Sequence, residues 1–202
     1  LAEMLVCFIL LAIFLVAASA IIGTVTNLYY RVKAETYSKQ TTDIIMTKIE
    51  SEITGAKYKK DDQNNPIICN GDVESTSAIG DSIVLYDKTD TKIKISVEDE
   101  SDGENHLVVH YYDIKGSTSE NSYKATDWMF DEKAFNGFKV QDVEFVRGDK
   151  LSSFSAKESY GCSKEGNYGK DVIVVFLTID SDRYGEYKSF KVMRMYNASF
   201  EM

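Results

Sequence analysis

Apolar side chains fill the first 22 positions of the chain almost without interruption. Between Met4 and Ile22 the only polar side chain is Ser19, and the one ionisable group beside the run is Glu3. A run of this length matches the roughly 20 apolar residues that an α-helix needs to cross the hydrocarbon core of a bilayer. The pattern therefore predicts a membrane-spanning helix with an acid at its N-terminal end.

The pattern becomes amphipathic after this run. Residues 24–60 contain no proline and one glycine, and within them Ile45, Ile49 and Ile53 recur every four residues beside charged flanks. Such spacing places the isoleucines on one face of a helix, the usual arrangement where a helix packs on a sheet. The sequence predicts that the helix continues to this stripe and ends at the polar segment 61–66. The predicted divisions are thus a membrane-spanning helix (1–23), its amphipathic continuation (24–60) and a globular head (61–202).

After Pro66 the apolar positions alternate with polar ones, which is typical of half-buried strands. The predicted fold class is α+β, with the long N-terminal helix packed on an antiparallel sheet of about six strands. Residues 115–137, which include the only tryptophan, Trp128, are predicted to be irregular and to place aromatic side chains in the core. The predicted strands are Ser82–Tyr86, Lys92–Val97, His106–Ile114, Phe138–Val146, Val172–Ile179 and Tyr187–Tyr196.

The charge of the chain is unevenly distributed. Residues 31–60 carry seven Lys and Arg against four Asp and Glu, a balance of +3, whereas residues 61–202 carry 16 against 27, a balance of −11. Non-specific nucleic-acid binding depends on clustered Lys and Arg. An acidic head therefore argues against direct nucleic-acid binding.

Three cysteines and two histidines are the candidates for covalent or metal chemistry. Cys7 lies in the apolar run, where it serves as a small apolar side chain. Cys69 and Cys162 lie in turn-like contexts of the head, and we predict that they form a disulfide in an oxidising compartment, with two unpaired thiols as the alternative. His106 and His110 are four residues apart on one predicted strand, so they share a face, which we expect to be solvated.

The chain shows no catalytic motif with plausible spacing, and we predict neither an enzyme nor a cofactor. One acidic loop, residues 99–105, holds several carboxylates that could collect around Ca²⁺, but it lacks the spaced ligands of an EF-hand. We therefore expect a solvated hairpin turn at this loop rather than a metal site.

The segment Leu1-Ala2-Glu3-Met4-Leu5-Val6 resembles the processed N-terminus of type IV pilins and type II secretion pseudopilins, in which a glutamate precedes a long apolar helix. The resemblance implies cleavage by a prepilin peptidase just upstream of residue 1, with the first two mature residues missing from the sequence. One departure is that many pilins carry a helix-breaking proline late in the apolar stretch, where this chain offers only Gly23 as a weak point. Residues 134–146 and the closing hairpin resemble the minor pseudopilins of the J type, W type and competence F type.

This resemblance implies a structural subunit of a filament. Glu3 would pair with the α-amino group of an adjacent subunit, and the partners would be other pilin-like subunits, the prepilin peptidase and the membrane before assembly. The head would lie outside the cytoplasm, on an extracellular or periplasmic filament. A major pilin of the shaft remains an alternative, as does a filament-displayed adhesin, for which Tyr160 and Tyr168 are the only hint. A cleavable signal ending at Ala18-Ser19-Ala20 and a plain signal anchor also remain open, although neither explains Glu3.

Overall fold

The structure, a computed structural model, describes residues 2–56, 67–70, 73–89, 91–99, 105–112, 124–135, 137–163 and 168–196. The chain forms two compact units, the N-terminal unit Leu1–Lys39 and the head unit Gln40–Met202. One α-helix, α1 (Ala2–Gly55), contributes to both, and it runs through Gly23 without interruption. The helix ends at Gly55, earlier than the predicted end at the polar segment 61–66, and residues 57–66 lie outside the described part of the chain.

Strands make up most of the described head, so the predicted α+β class is confirmed. Three short 3₁₀ helices accompany them: η1 (Glu132–Phe135), η2 (Gly148–Ser153) and η3 (Ser155–Tyr160). The described strands are β1 (Ile67–Asn70), β2 (Val73–Ser77), β3 (Ile79–Gly80), β4 (Ser82–Tyr86), β5 (Lys92–Asp99), β6 (Asn105–Tyr112), β7 (Lys124–Met129), β8 (Lys139–Arg147), β9 (Val172–Asp180) and β10 (Tyr187–Arg194).

These strands form two antiparallel sheets, so the predicted single sheet of about six strands is wrong. The first sheet has six strands in the order β2-β1-β4-β5-β6-β7, and the second has four in the order β10-β9-β8-β3. Alternation of apolar and polar residues identifies a strand but does not tell which neighbour it pairs with. The division into two sheets therefore could not be deduced from the pattern.

All six predicted strands are present as β4, β5, β6, β8, β9 and β10, whereas β1, β2, β3 and β7 were not predicted. Strand β7 lies in the stretch that we predicted to be irregular, and it pairs Trp128 with Val109 of β6. The predicted core role of the aromatic residues is confirmed for Phe130, which is buried and stacks on Phe135 with ring centroids 4.6 Å apart. Residues 113–123 lie outside the described part of the chain.

The isoleucine stripe of α1 is buried as predicted. Ile45, Ile49 and Ile53 have no exposed surface, whereas the neighbouring Ile44 is 48% exposed. Burying a side chain of this size contributes about 1.5–3 kcal/mol relative to leaving it in water. The last turns of α1 are therefore part of the core of the head.

Polar contacts on either side of this stripe connect α1 to both sheets. Lys48 Nζ donates a hydrogen bond to Tyr111 Oη of β6 at 2.7 Å, and that hydroxyl donates to Glu52 Oε1 at 2.7 Å. On the other flank, Lys191 of β10 donates to Glu50 Oε2 at 2.7 Å. Since β6 and β10 belong to different sheets, one helical segment connects the two sheets.

The outer face of the four-stranded sheet is covered by the segment that contains η2 and η3. Leu151, Phe154 and Cys162 from this segment pack against Val174 and Phe176 of β9 in one buried cluster. The Phe154 and Phe176 rings lie 4.7 Å apart. The described part of this segment therefore closes a second core.

We expect a soluble head that begins at Leu28 to fold, because it keeps the buried isoleucine stripe. Within it, Ile45→Ala should lower the free energy of unfolding by about 2–4 kcal/mol, since the change removes buried methyl groups and leaves a cavity. Ile44→Ala is the matched control and should cost less than about 1 kcal/mol, because Ile44 is half exposed. Circular dichroism and urea unfolding would measure both. Equal losses, or a molten parent head, would contradict helix-on-sheet packing.

Candidate assembly surface

The N-terminal unit exposes apolar side chains on every side of α1. Phe8 is 68% exposed, Phe14 70% and Val16 71%, and these residues point in different directions around the helix axis. A helix that is apolar all round is typical of a membrane span or of a helix buried among others. By length and composition alone, α1 is able to cross a membrane. We call the exposed apolar side chains between Met4 and Leu28 the N-terminal apolar surface.

Two hydroxyl groups within this surface are satisfied by the backbone of α1. The Ser19 hydroxyl donates to the Leu15 carbonyl oxygen at 2.8 Å, and the Thr24 hydroxyl donates to the Ala20 carbonyl oxygen at 3.0 Å. An unpaired hydroxyl would be costly in an apolar medium. These two bonds therefore satisfy hydroxyl groups that would be unpaired in hydrocarbon, and one of them, that of Thr24, lies beyond Ile22, where the purely apolar run ends.

Glu3 lies in the first turn of α1 and is exposed. Among the described residues it has no ion-pair partner, so its carboxylate is available to a group outside the chain. A negative charge near a helix N-terminus is favoured by the exposed N–H groups there. Cys7 is exposed on the next turn and carries a free thiol. The structure therefore places Glu3 at the start of the N-terminal apolar surface, and its predicted pairing with another subunit stays a prediction.

No protein-family model, curated protein or solved structure matches this chain. The interpretation of the N-terminal apolar surface therefore rests on the residues of the chain itself and on the resemblance of its first residues.

The head buries a histidine between two carboxylates. His110 Nδ1 lies 2.9 Å from Asp127 Oδ1, and His110 Nε2 lies 2.9 Å from Glu98 Oε1. Ser96 Oγ donates to the same Glu98 oxygen at 2.8 Å, and Lys94 Nζ is 3.6 Å from it. An ionised carboxylate only accepts hydrogen bonds, so the ring serves both partners at once only when both nitrogens carry hydrogen. We call these five residues the His110 network.

The expectation of a solvated histidine face is wrong for His110, which is 6% exposed. The two neighbouring strands explain its burial, because β5 brings Glu98 and β7 brings Asp127 to opposite sides of the ring. The sequence contained part of this signal, in the predicted strand that carries His110. Glu98 lies on β5 one residue beyond the predicted strand Lys92–Val97. Asp127 was missed because its strand lay in the stretch predicted to be irregular.

The structure leaves Cys162 as a free thiol that is fully buried in the cluster beside Phe176. Cys69 lies on β1 opposite Ser82 of β4, and its side chain is outside the described part of the chain. The predicted Cys69–Cys162 disulfide is therefore not formed at its Cys162 end in this structure, and the pairing stays a prediction for oxidising conditions. The acidic loop considered for Ca²⁺ also lies outside the described residues, apart from Asn105 and the backbone of Asp99.

The two loop tyrosines that hinted at a ligand patch pack back on the head. Tyr160 Oη hydrogen-bonds Thr178 Oγ1 at 3.0 Å, and its ring meets the Phe176 ring edge-on at 5.1 Å. Tyr168 packs against the same buried cluster. Both side chains are used for packing, so neither supports an aromatic binding patch.

The His110 network makes the stability of the head sensitive to acid. Burial by itself raises the pKa of Glu98, but hydrogen bonds from Ser96 and His110, together with the charges of His110 and Lys94, hold that pKa below its ordinary value of 4.5. A depressed pKa means that the contribution to stability is fully present above 4.5 and is lost as the pH falls through the lower folded value.

We expect Glu98→Gln to lower the free energy of unfolding at neutral pH by about 0.5–1 kcal/mol, a modest figure because the carboxylate is partly exposed. The difference from the parent head should shrink as the pH falls below the ordinary pKa of Glu98. Glu158→Gln, at an exposed position, is the control and should change little at any pH. Urea unfolding at a series of pH values would measure this. A loss that is the same at acid and neutral pH would contradict an electrostatic role.

We expect purified head, denatured without reductant, to show no free thiol. The predicted disulfide would close a loop of about ninety residues and restrict the unfolded chain by about 4–5 kcal/mol in the entropy model. Cys69→Ser is the control and should show one titratable thiol, that of Cys162. Two titratable thiols in the unreduced parent head would refute the bridge and leave Cys162 as an ordinary buried thiol.

Proposed function

We propose that the chain is a structural subunit, a minor pilin or pseudopilin, of a type IV pilus-like or type II secretion-like filament. The proposal is supported by the resemblance of Leu1–Val6 to processed pilins. The observation that carries it is the N-terminal apolar surface, which covers all sides of α1 between Met4 and Leu28 and directly follows Glu3, an acid with no ion-pair partner among the described residues.

A helix with this surface is stable in two surroundings, a bilayer and a bundle of similar helices. A filament subunit uses both in turn, first as a membrane span and then as part of a helical core. Glu3 has no partner in its own described chain, and a cation from a neighbouring subunit would neutralise it in the core. Coulomb attraction is much stronger in a medium of low dielectric constant than in water, so such a pair would fix the axial register between subunits.

The proposed sequence of events starts with a single-pass membrane protein. A prepilin peptidase cuts upstream of residue 1, and the subunit is then extracted into the filament with its head outside the cytoplasm. Its partners are other pilin or pseudopilin subunits. This role needs no catalytic group, cofactor or nucleic acid.

A major pilin of the shaft uses the same helix chemistry and differs in copy number. Counting copies per filament by quantitative mass spectrometry would separate the two roles. We give less weight to a filament-displayed adhesin, because Tyr160 and Tyr168 pack on the head.

We expect Glu3→Ala to leave membrane insertion intact while lowering incorporation into filaments by about tenfold, equivalent to about 1.4 kcal/mol. Removing the carboxylate deletes the inter-subunit partner without reducing the apolar length of the helix. The measurement is a competition between tagged parent and variant chains expressed together, with membrane and filament fractions quantified separately.

Glu35→Ala is the matched control, because it removes the same charge outside the apolar segment. It should enter filaments at the parent level. Equal incorporation of Glu3→Ala and parent would overturn the register role of Glu3. Absence of the parent chain itself from every filament fraction would overturn the proposed function.

A further inference from the structure

Where the N-terminal apolar surface ends, α1 carries a ring of aromatic and basic side chains. Tyr29 and Tyr30 are 60% and 53% exposed, and Arg31 is exposed as well. Lys33 Nζ lies 5.9 Å from the centroid of the Tyr29 ring and 5.4 Å from that of Tyr37. Successive helical residues point about 100° apart, so Tyr29, Tyr30, Arg31 and Lys33 together cover about 200° of the helix circumference.

The chemistry of this ring fits the boundary between hydrocarbon and lipid headgroups. Tyrosine is enriched at that boundary because its ring is apolar and its hydroxyl is polar. Lysine extends its ammonium group towards the headgroups, and the guanidinium of arginine matches phosphate oxygens in pairs. Residues 29–39 carry three basic side chains and one acidic one, a balance of +2.

We propose that Tyr29, Tyr30, Arg31 and Lys33 form a collar that binds the phosphate groups of membrane lipids, with a preference for anionic lipids. The collar lies at the bilayer face nearer the C-terminal end of the span. This inference deepens the proposed function, because it rests on the membrane-inserted stage of the subunit.

The collar sets the depth of the whole helix. A hydrocarbon core about 30 Å thick takes about 20 helical residues, so a boundary just before Tyr29 assigns the core to residues 9–28. Lys33 then lies about 6 Å beyond Tyr29, within the headgroup layer, and Tyr37 lies about 12 Å beyond, on the water side. Lys33 is thus at phosphate depth, and Tyr37 is the ring that contacts it from the water side.

The hydrogen bond of Thr24 allows a hydrocarbon core that extends past the purely apolar run. The Thr24 hydroxyl is satisfied by the Ala20 carbonyl oxygen, and Val25 and Leu28 expose apolar side chains beyond it. A core limited to residues 4–22 would leave these two side chains outside hydrocarbon and would hold Tyr29 about 10 Å away from it. The core of residues 9–28 instead takes in Asn27 and places the apolar residues 4–8 at the opposite boundary.

The same depth assigns Glu3 to the opposite headgroup layer. Glu3 lies six helical positions before Ile9, so it is about 9 Å outside the core. Its carboxylate would stay hydrated in the membrane and lose water only when the helix enters a filament. Desolvation of Glu3 would then belong to assembly and not to insertion.

The depth is tested by tryptophan quenching in the full chain with Trp128→Phe as the background, which removes the only native tryptophan. Single tryptophans replace Tyr29, Val16 or Tyr37, and the chains are inserted in vesicles that contain phosphatidylcholine brominated at defined depths. We expect shallow bromines to quench position 29 most, deep bromines to quench position 16 most, and position 37 to be quenched several-fold less than either. Circular dichroism checks the fold of the head in each variant.

Two results would overturn the collar. Quenching at position 29 as weak as at position 37 would place the boundary before Tyr29 by several residues. Quenching at position 29 that is strongest with deep bromines would place the ring inside the hydrocarbon.

Lipid preference is tested by comparing brominated phosphatidylglycerol with brominated phosphatidylcholine at the same mole fraction. We expect the anionic lipid to quench position 29 about twofold more, because basic side chains attract it to the collar. Arg31→Gln with Lys33→Gln should abolish the excess, and about 0.5 M salt should reduce it. Lys39→Gln is the matched control, since it removes a positive charge about 9 Å beyond Lys33 and should keep the excess.

Equal quenching by both lipids in the parent chain would overturn the anionic preference, and loss of the excess in Lys39→Gln would replace the collar with a diffuse positive charge. All these measurements use unassembled chains. A subunit that fails to enter filaments would contradict the proposed function but would leave the collar unaffected. A negative quenching result would overturn the collar but would leave the proposed function unaffected.

Discussion

The head depends on the burial of one stripe of α1, formed by Ile45, Ile49 and Ile53. These side chains lie between polar contacts that reach β6 of the first sheet and β10 of the second. Each sheet has an apolar face that would be exposed on its own, and a single helical segment contacts both sheets. Apolar burial supplies the stabilisation without direction. The ion pair of Glu50 with Lys191 of β10 and the hydrogen bond of Lys48 to Tyr111 of β6 are directional, because each joins the helix to one particular strand.

The two parts of α1 show how the same helical period leads to different surroundings. In the head unit, apolar residues occupy one stripe and polar residues flank it, so the helix is satisfied by its own chain. In the N-terminal unit, apolar side chains point in all directions and exceed half exposure at nearly every large residue. Such a surface is typical of a membrane span or of a helix packed among other helices. Arg31 and Lys33 are the first charged residues that follow it.

Two groups of the head, His110 and Lys48, each lie between hydrogen-bonding partners. His110 lies between Glu98 and Asp127, and Lys48 lies between Glu52 and Tyr111 with aromatic rings beside it. Desolvation is the largest single influence on the pKa of Lys48, and its hydrogen bonds to Glu52 and Tyr111 outweigh it and raise that pKa. Such networks specify pairing because a shifted register would leave a buried charge alone.

The sequence by itself determined the apolar helix, the isoleucine stripe, six of the strands and the α+β class, because these follow from the period of neighbouring residues. It also identified Glu3 as a candidate site residue, because the position of an acid just before the apolar run is visible in the sequence alone. Only the tertiary structure decided that the strands divide into two sheets, that β7 exists around Trp128, and that His110 is buried. Strand pairing and burial depend on contacts between residues far apart in the chain, and no local period encodes which distant carboxylate will meet a given ring.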